Sequence, residues 1–211
     1  MKISMRPRNI TVSAEGRATA ERIVAVARQH FLSHGFRHVT MDDLSRELGM
    51  SKKTLYASFS SKTALLEAVL ADKFRNVERD LDGITSTCSA DVLAALHQLL
   101  ACMQQHTDEI KPPFVRDMRR ESPDKFRTVE NRRRDIIQRH FGKLFREGRK
   151  AGIIRKDIPT DLIMEILLSA VQAIMNPPKI MELGLTPKSG YSAIVTVILE
   201  GVLTKDVSEI R

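Results

Sequence analysis

Four side chains that can donate hydrogen bonds share one short predicted helix, namely Lys52, Lys53, Thr54 and Tyr56. Leu55 lies between them and is expected to point inward, which leaves the ammonium and hydroxyl groups facing solvent. Such donors suit phosphate oxygens and the edges of bases in DNA. The grouping therefore predicts contact with nucleic acid.

The elements around this helix predict a helix-turn-helix. Thr40 precedes Asp43 by three residues, close to a capping box, and Gly49 supplies the left-handed position that ends a first short helix. Ser51 is placed to cap the second helix, Lys52 to about Ser58, and Ser61 to cap a longer third one. Two short helices joined by a tight glycine turn form a helix-turn-helix, whose second helix lies in the major groove.

The same stretch resembles the tetracycline-repressor (TetR) family of bacterial transcriptional regulators. The resemblance rests on G-F at 35–36, V-T at 39–40, D-L at 43–44, L-G-M-S at 48–51, T-L-Y at 54–56 and F-S-S-K at 59–62. It implies that Thr40, Tyr56 and Lys62 touch phosphates and that the second helix reads bases. Lys53 stands where the family often has a small residue, and Ser58 where an aromatic residue or histidine is usual. The expected DNA-binding residues are Thr40, Ser51, Lys52, Lys53, Thr54, Tyr56 and Lys62.

The composition predicts an all-α fold. Hydrophobic residues make up 42% of the 211 residues and aromatic residues only 5%, and apolar residues recur at three and four rather than at two. We expect about nine helices, arranged as a three-helix DNA-binding unit at residues 15–62 and a ligand-sensing and dimerisation domain at 63–211. Residues 1–14 are interpreted as a basic arm, either a disordered leader or an arm that reaches into the minor groove.

Charge is concentrated in the DNA-binding unit. Residues 1–62 hold 11 Lys and Arg against 5 Asp and Glu, so they carry +6 of the net +8. A basic bias of this kind is common on solvated faces, but beside a helix-turn-helix it favours a surface that contacts nucleic acid.

Several classes of protein lack support in the sequence. No apolar stretch is long enough to span a membrane, and no leader with an apolar centre is present. Cys88 and Cys102 form no framework, which fits a reducing cytoplasm. No hydrolase, P-loop or dinucleotide motif occurs, so we expect neither an enzyme nor a cofactor. His30, His34 and His38 are interpreted as solvated or phosphate-facing rather than metal-binding, because no ligand completes the set.

Three boundaries are predicted between the helices that follow. The polar stretch Gly83–Ser89 is expected to be a loop that separates the two parts of the protein, after a helix at about Lys62–Leu81. After a helix at about Asp91–Thr107, Pro112-Pro113 is expected to stop any continuation, and a short helix around Phe114–Arg120 follows. Ser122-Pro123 is expected to open a helix that runs to Ala151.

The last two helices predict a homodimer. They are apolar on most sides, whereas a helix at the surface needs only one apolar stripe. A second copy would supply the missing cover through a two-fold four-helix contact, and the resemblance implies the same interface. The residues expected there are Ile194, Val195, Ile198 and Val202.

The helix from Pro123 to Ala151 provides candidate sensor residues. Its apolar stripe is interrupted by Arg133 and His140, which are seven residues apart and share one face. Arg133 either turns to solvent or to an acidic partner, or it lines a cavity with His140. In the second case the two hold the polar or anionic end of an amphipathic effector, with Met103, Phe114 and Met118 as apolar walls.

These features predict a dimeric transcriptional regulator, a repressor by resemblance, that binds a pseudo-palindromic double-stranded operator and is released by a small molecule. Two alternatives are an architectural DNA binder without a ligand and an all-α enzyme. The architectural binder predicts a solidly packed C-terminal domain, whereas the sensor predicts a cavity.

Overall fold

The computed structural model describes residues 14–86 and 91–203, and these residues form ten α-helices. The helices are α1 Ala14–His34, α2 Met41–Glu47, α3 Lys52–Ser58, α4 Lys62–Ser86, α5 Val92–Asp108, α6 Pro112–Glu121, α7 Pro123–Lys150, α8 Thr160–Ile174, α9 Pro177–Glu182 and α10 Pro187–Val202. Within the described ranges the only β-type pairing is one isolated bridge between Ile154 and Leu203. The all-α prediction is confirmed, with one helix more than expected.

The extra helix is α9, and its start is marked in the sequence by Asn176-Pro177, a capping residue followed by proline. Asn176 accepts a hydrogen bond from the Lys179 amide (3.1 Å) and so caps the helix. Proline at the first position suits a helix start because its missing N–H would have no partner there.

The predicted caps of the helix-turn-helix are confirmed. Thr40 accepts from the Asp43 amide (3.1 Å), and the Asp43 carboxylate accepts from the Thr40 amide (3.3 Å), which completes a capping box. Ser51 accepts from Thr54 N–H and Ser61 from Ala64 N–H, both at 3.1 Å. Each cap satisfies an amide that the following helix leaves without a partner.

Two hydrophobic cores organise the chain. The first packs α1, α2, α3 and the first half of α4 around Phe31, Leu44, Leu55, Leu65 and Val69. The second packs the remaining half of α4 against α5 and α7, on which α8 and α10 pack in turn. Because α4 contributes Leu66 to one core and Leu81 to the other, a single 25-residue helix connects them.

Two predicted boundaries differ from the structure. The helix α4 continues to Ser86, so residues 83–86 of the expected loop are helical, and residues 87–90 lie outside the described part of the chain. Gly83 is tolerated because one glycine costs only about 1 kcal/mol relative to alanine within a long packed helix. Pro112 and Pro113 occupy the first turn of α6, where proline is accepted, and α5 has already ended at Asp108. The predicted arm falls almost wholly on residues 1–13, outside the described residues.

The helix α6 packs on the first core rather than on the second. Phe114 and Met118 are buried among the side chains of that core. The buried carboxylate of Asp117 accepts the Arg37 amide at 3.0 Å, and the Lys111 amide donates to the Leu32 carbonyl at 2.9 Å. Through these contacts α6 is attached to the turn between α1 and α2.

The close approach of α6 requires glycine at position 35. Gly35 has φ +83°, and a Cβ atom there would overlap with Asp117 Oδ2. Gly49 also has positive φ (+62°), yet no atom lies within 4 Å of the place where its Cβ would be. The two positions therefore share the backbone constraint and differ in the contact with Asp117.

We expect Gly35→Ala to lower the free energy of unfolding by more than Gly49→Ala does. The left-handed conformation costs a residue with a side chain about 1–2 kcal/mol, and Gly35→Ala must also displace Asp117. Gly83→Ala is the matched control, because Gly83 lies in α4 with open space around it, and it should be neutral or stabilise by up to about 1 kcal/mol. Urea denaturation followed by circular dichroism measures all three. Equal losses for Gly35→Ala and Gly49→Ala would contradict the α6 contact.

Candidate functional site

The helix α3 presents its polar side chains to solvent around one buried anchor. Leu55 is completely buried in the first core, whereas Lys52, Lys53, Thr54 and Tyr56 are exposed. Tyr56 leaves 48% of its surface exposed, which is unusual for a large ring. The structure thus brings together the four side chains of the predicted reading helix on its outer surface.

Hydrogen bonding separates these side chains into occupied and available donors. Lys52 Nζ donates to Asp42 Oδ2 at 2.5 Å, and the Thr54 hydroxyl lies 2.9 Å from that of Ser51. Lys53 and Tyr56 make no side-chain hydrogen bond or ion pair to any part of the chain that the structure describes. Their donors are available to an outside partner.

Thr40 and Lys62 already have roles within the fold. The Thr40 hydroxyl donates to Asp43 Oδ2 at 2.6 Å, and this bond lowers the pKa of the Asp43 carboxyl. Lys62 Nζ donates to the carbonyls of Arg37 and Val39, each at 3.1 Å. An ammonium has three donors, so Lys62 attaches the start of α4 to the turn before α2 and keeps one N–H for another partner.

The five predicted sensor residues do not come together. Met103 lies in the second core, whereas Phe114 and Met118 lie in the first. Arg133 lines a cleft of about 100 Å³ between α7 and α8, and its Nη2 donates to Glu130 Oε2 at 2.6 Å. His140 is buried against α4. The helical period placed Arg133 and His140 on one face, but they contact different neighbours along α7.

The hydrogen bonds around His140 favour one tautomer of its ring. The Thr85 hydroxyl donates to the Leu81 carbonyl (2.9 Å), so its oxygen accepts from His140 Nδ1 at 3.3 Å. Nδ1 therefore carries the ring proton, and Nε2 accepts from Arg139 Nε at 3.4 Å. Burial lowers the pKa of His140, and the Arg139 charge lowers it further, against the opposing effect of the Asp82 carboxylate.

The predicted dimer residues are covered by their own chain. Ile194, Val195 and Val202 are 5–6% exposed, and Ile198 packs against the same core. The opposite surfaces of the two helices carry the exposed apolar side chains. Leu162 and Ile166 of α8 are 51% and 50% exposed, and Val197 of α10 is 71% exposed.

The comparisons with known proteins agree with this arrangement. Residues 23–69 match the sequence profile of the bacterial regulatory proteins of the tetR family. The chain is 30% identical over 101 residues to TtgW, an uncharacterized HTH-type transcriptional regulator of Pseudomonas putida, covering 46% of this chain and 75% of that protein. The chain belongs to the tetR family.

The similarity extends beyond the helix-turn-helix. Over 188 residues the chain is 27% identical to YvaF, an uncharacterized HTH-type transcriptional regulator of Bacillus subtilis, covering 86% of this chain and 94% of that one. The SmeT–triclosan complex has the same fold, with a TM-score of 0.61 at 18% identity over 90% of this chain and 94% of that chain. The protein is thus a TetR-family transcriptional regulator, and its relatives are regulators rather than enzymes. No helix in the described ranges is long and apolar enough to cross a bilayer.

A group of charged side chains that the sequence did not predict joins three helices of this TetR-family regulator. Glu109 Oε2 accepts from Lys73 Nζ at 2.7 Å and from Arg28 Nη2 at 2.6 Å. Lys73 Nζ also lies 3.0 Å from His106 Nδ1, and His106 Nε2 lies 3.0 Å from Asp80 Oδ2. The group connects α1, α4 and the end of α5.

A signal for this group was present in the sequence. Lys73 lies four residues from Val69 and from Val77, on the buried stripe of α4. Burial lowers the pKa of Lys73, and Glu109 offsets this only in part. A lysine on an apolar stripe requires an anion, and the spacing alone could have indicated it.

We expect His140→Gln to reduce the pH dependence of stability between about pH 7.5 and pH 5.5. The folded protein holds this imidazole neutral, with a pKa below the usual value of about 6.5, so the unfolded chain binds more protons as the pH falls. The stability contributed by neutral His140 is complete above the unfolded pKa and is lost on acidification. Urea denaturation at both pH values measures it, with exposed His97→Gln as the control. The same acid-side loss in His140→Gln as in the unmodified protein would contradict the burial of a neutral His140.

Proposed function

We propose that this regulator is a dimeric repressor that binds a pseudo-palindromic operator and releases it when a small molecule binds. The observation that carries the proposal is the outer surface of α3, where Lys53 and Tyr56 keep free donors around the buried Leu55. Side chains anchored in this way on a helix can enter the major groove without rearranging the core.

The DNA-facing residues divide by the bonds that they can still make. Lys53 is proposed to read a base edge, because its unpaired ammonium can reach the guanine acceptors of the major groove. Thr40, Ser51, Lys52, Thr54, Tyr56 and Lys62 are proposed to fix the docking position along the phosphates. Lys52 would exchange Asp42 for a phosphate, whereas Lys62 would use its third N–H.

A dimer is supported by the surface that α8 and α10 leave in water. Leu162, Ile166 and Val197 are each at least half exposed, and contiguous apolar patches on soluble proteins mark contact sites. We propose that these residues, rather than the buried Ile194, Val195 and Val202, meet a second copy. Ile198, which is half-buried, lies at the edge of that surface. A two-fold arrangement would place the recognition helices about 34–36 Å apart, one turn of DNA.

Effector binding is supported by the fold shared with the SmeT–triclosan complex and by Arg133. The cleft at Arg133 measures about 100 Å³, below the roughly 300–1,000 Å³ of most ligand sites. An anionic or amphipathic effector would therefore have to displace Glu130 and widen the space between α7 and α8. Met103 lies in the second core and His140 is buried against α4, whereas Phe114 and Met118 belong to the first core.

The small volume of the cleft at Arg133 favours a second candidate function, an architectural DNA binder without an effector, although a more open cleft of about 440 Å³ lies between α4 and α7 at Glu78, Arg132 and Arg139. A solid C-terminal domain is what that alternative predicts. Release of DNA by a compound separates the two functions.

Operator binding should distinguish Lys53 from Lys62. We expect Lys53→Ala to lose about 1–3 kcal/mol of preference for specific over random duplex. Lys62→Ala should weaken binding to specific and to random duplex alike. It should also flatten the salt dependence, because log affinity falls with log salt concentration by about 0.9 for each phosphate that is neutralised. Fluorescence anisotropy on the intergenic DNA upstream of the protein's own gene measures both, with and without candidate compounds.

Exposed Lys143→Ala on α7 is the control for a lost positive charge. Equal losses on specific and random DNA for both variants would exclude base reading by Lys53. A failure to bind the upstream DNA at any salt concentration would remove the regulatory proposal at that site. Binding that no compound reverses would favour the architectural alternative.

Val197→Asp and Ile166→Asp should convert a dimer into a folded monomer. Each places a carboxylate in the proposed contact, where it would have no partner, while the chain's own core is untouched. Light scattering at micromolar concentration gives the mass, and circular dichroism verifies the fold. Gln98→Asp, on the exposed side of α5, is the control for added charge. A monomeric unmodified protein, or a dimer that survives both substitutions, would exclude this interface.

A further inference from the structure

Three potential metal ligands of different chemistry meet between α4 and α5. Asp80 belongs to α4, and Cys102 and His106 lie four residues apart on α5. Their carboxylate oxygen, sulfur and ring nitrogen all lie within 4.8 Å of one another. Among the described residues this is the one group of three or more such ligands, and it includes none of the histidines near the helix-turn-helix.

We propose that Asp80, Cys102 and His106 bind a divalent transition-metal ion of the zinc class, with a fourth coordination position open to solvent or to an exogenous ligand. The inference goes beyond the proposed repressor function and does not depend on it.

The distance between the ligand atoms suits a tetrahedrally coordinated ion. His106 Nε2 lies 3.0 Å from Asp80 Oδ2, and two ligands about 2.05 Å from a zinc ion are about 3.3 Å apart at the tetrahedral angle. Moving the two helices apart by a few tenths of an ångström would therefore admit the ion. A thiolate, an imidazole and a carboxylate match zinc and its neighbours better than magnesium or calcium, which prefer oxygen alone.

The exposure and the charge of the three ligands also suit a divalent ion. All three residues are partly buried, so the site is neither sealed within the core nor spread over the surface. With the Cys102 thiol deprotonated, a thiolate and the Asp80 carboxylate supply two negative charges, which neutralise a dication. The helix α5 holds Cys102 and His106 on one face, so two of the three ligands are already oriented.

Lys73 is the group that competes with the ion. Its ammonium lies 3.0 Å from His106 Nδ1, and it places a positive charge next to the proposed metal. When Nε2 binds an ion, Nδ1 carries the ring proton and needs an acceptor, which an ammonium cannot be. Metal binding thus requires Lys73 to turn toward Glu109, already 2.7 Å away.

This competition gives an expectation that a purely structural ion-pair network does not share. Lys73→Met keeps the length of the apolar stem and removes the charge, so it should tighten metal binding. Glu109 retains Arg28 as its partner at 2.6 Å. A network without a metal function predicts no metal affinity before or after that substitution.

The test uses the full-length reduced protein, freed of purification tags and of metal, titrated with Co²⁺ and then with Zn²⁺. We expect one equivalent of Co²⁺ per chain to give a thiolate-to-cobalt charge-transfer band and the intense visible bands of tetrahedral cobalt, both removed by Zn²⁺. Cys102→Ser should abolish the charge-transfer band. His106→Gln and Asp80→Asn should lower zinc affinity by more than the roughly 10–100-fold that loss of an outer partner costs.

The chain supplies matched controls for both ligand types. Cys88→Ser removes the other cysteine, and His97→Gln removes an exposed histidine of the same helix. Both should bind cobalt unchanged, and Lys73→Met should bind it more tightly. The absence of a charge-transfer band, its survival in Cys102→Ser, or its loss in Cys88→Ser would each overturn the site.

Circular dichroism of every variant separates lost binding from lost fold. Cys102→Ala serves as a second probe if the serine variant unfolds. Because the measurement contains no DNA, it stands even if the operator proposal fails.

Discussion

The arrangement of this protein depends on the burial of one helix in two cores. The first half of α4 packs on α1, and the second half on α5 and α7, so neither core is complete without it. A helix held at both ends moves as a rod, since bending it would expose apolar side chains at about 25 cal/mol per Å². Any shift of the second core therefore reaches the start of α4, where Lys62 attaches it to the helix-turn-helix.

A second connection runs through α6 and does not involve α4. The Asp117 carboxylate bonds to the Arg37 amide in the turn that precedes α2, and Gly35 permits the approach. The charged group at Lys73, Glu109 and Arg28 ties α4, the end of α5 and α1 at a third place. Partly buried ion pairs such as these add little net stability because desolvation opposes them, but removing one partner of a pair is costly. These contacts fix the relative positions of the helices that they join more than they stabilise the folded chain.

How much the sequence could predict depends on how far apart in the chain the interacting residues lie. The caps at Thr40, Ser51 and Ser61 depend on residues three apart, and the structure confirms each of them. The orientation of Leu55 follows from one helical turn. By contrast, the apolar periodicity of α10 identified a helix buried on most sides but could not tell which side faces its own chain. Val195 and Val197 are equally apolar, and only packing against α5 and α8 distinguishes them.

The candidate sensor residues show the same limit for contacts between residues farther apart in the chain. Phe114 and Met118 lie shortly before α7 in the chain, yet α6 turns its apolar face to the first core. The Asp80–Cys102–His106 group could not be found from spacing, since Asp80 lies on another helix and the sequence does not state the register between α4 and α5.

The energies involved limit how an effector could release DNA. Moving a two-state equilibrium from 1:99 to 99:1 requires a difference in binding free energy of about 5.5 kcal/mol. The single bond from Asp117 to the Arg37 amide contributes about 1.5–3 kcal/mol, the range for hydrogen bonds to charged groups. An effector that only loosened α6 would therefore leave much of the protein competent to bind. Full release by an effector would require α4 and α6 to move together, since both connect to the turn at residues 35–39, through Lys62 and through Asp117. That turn precedes α2, so its displacement would carry the helix-turn-helix with it.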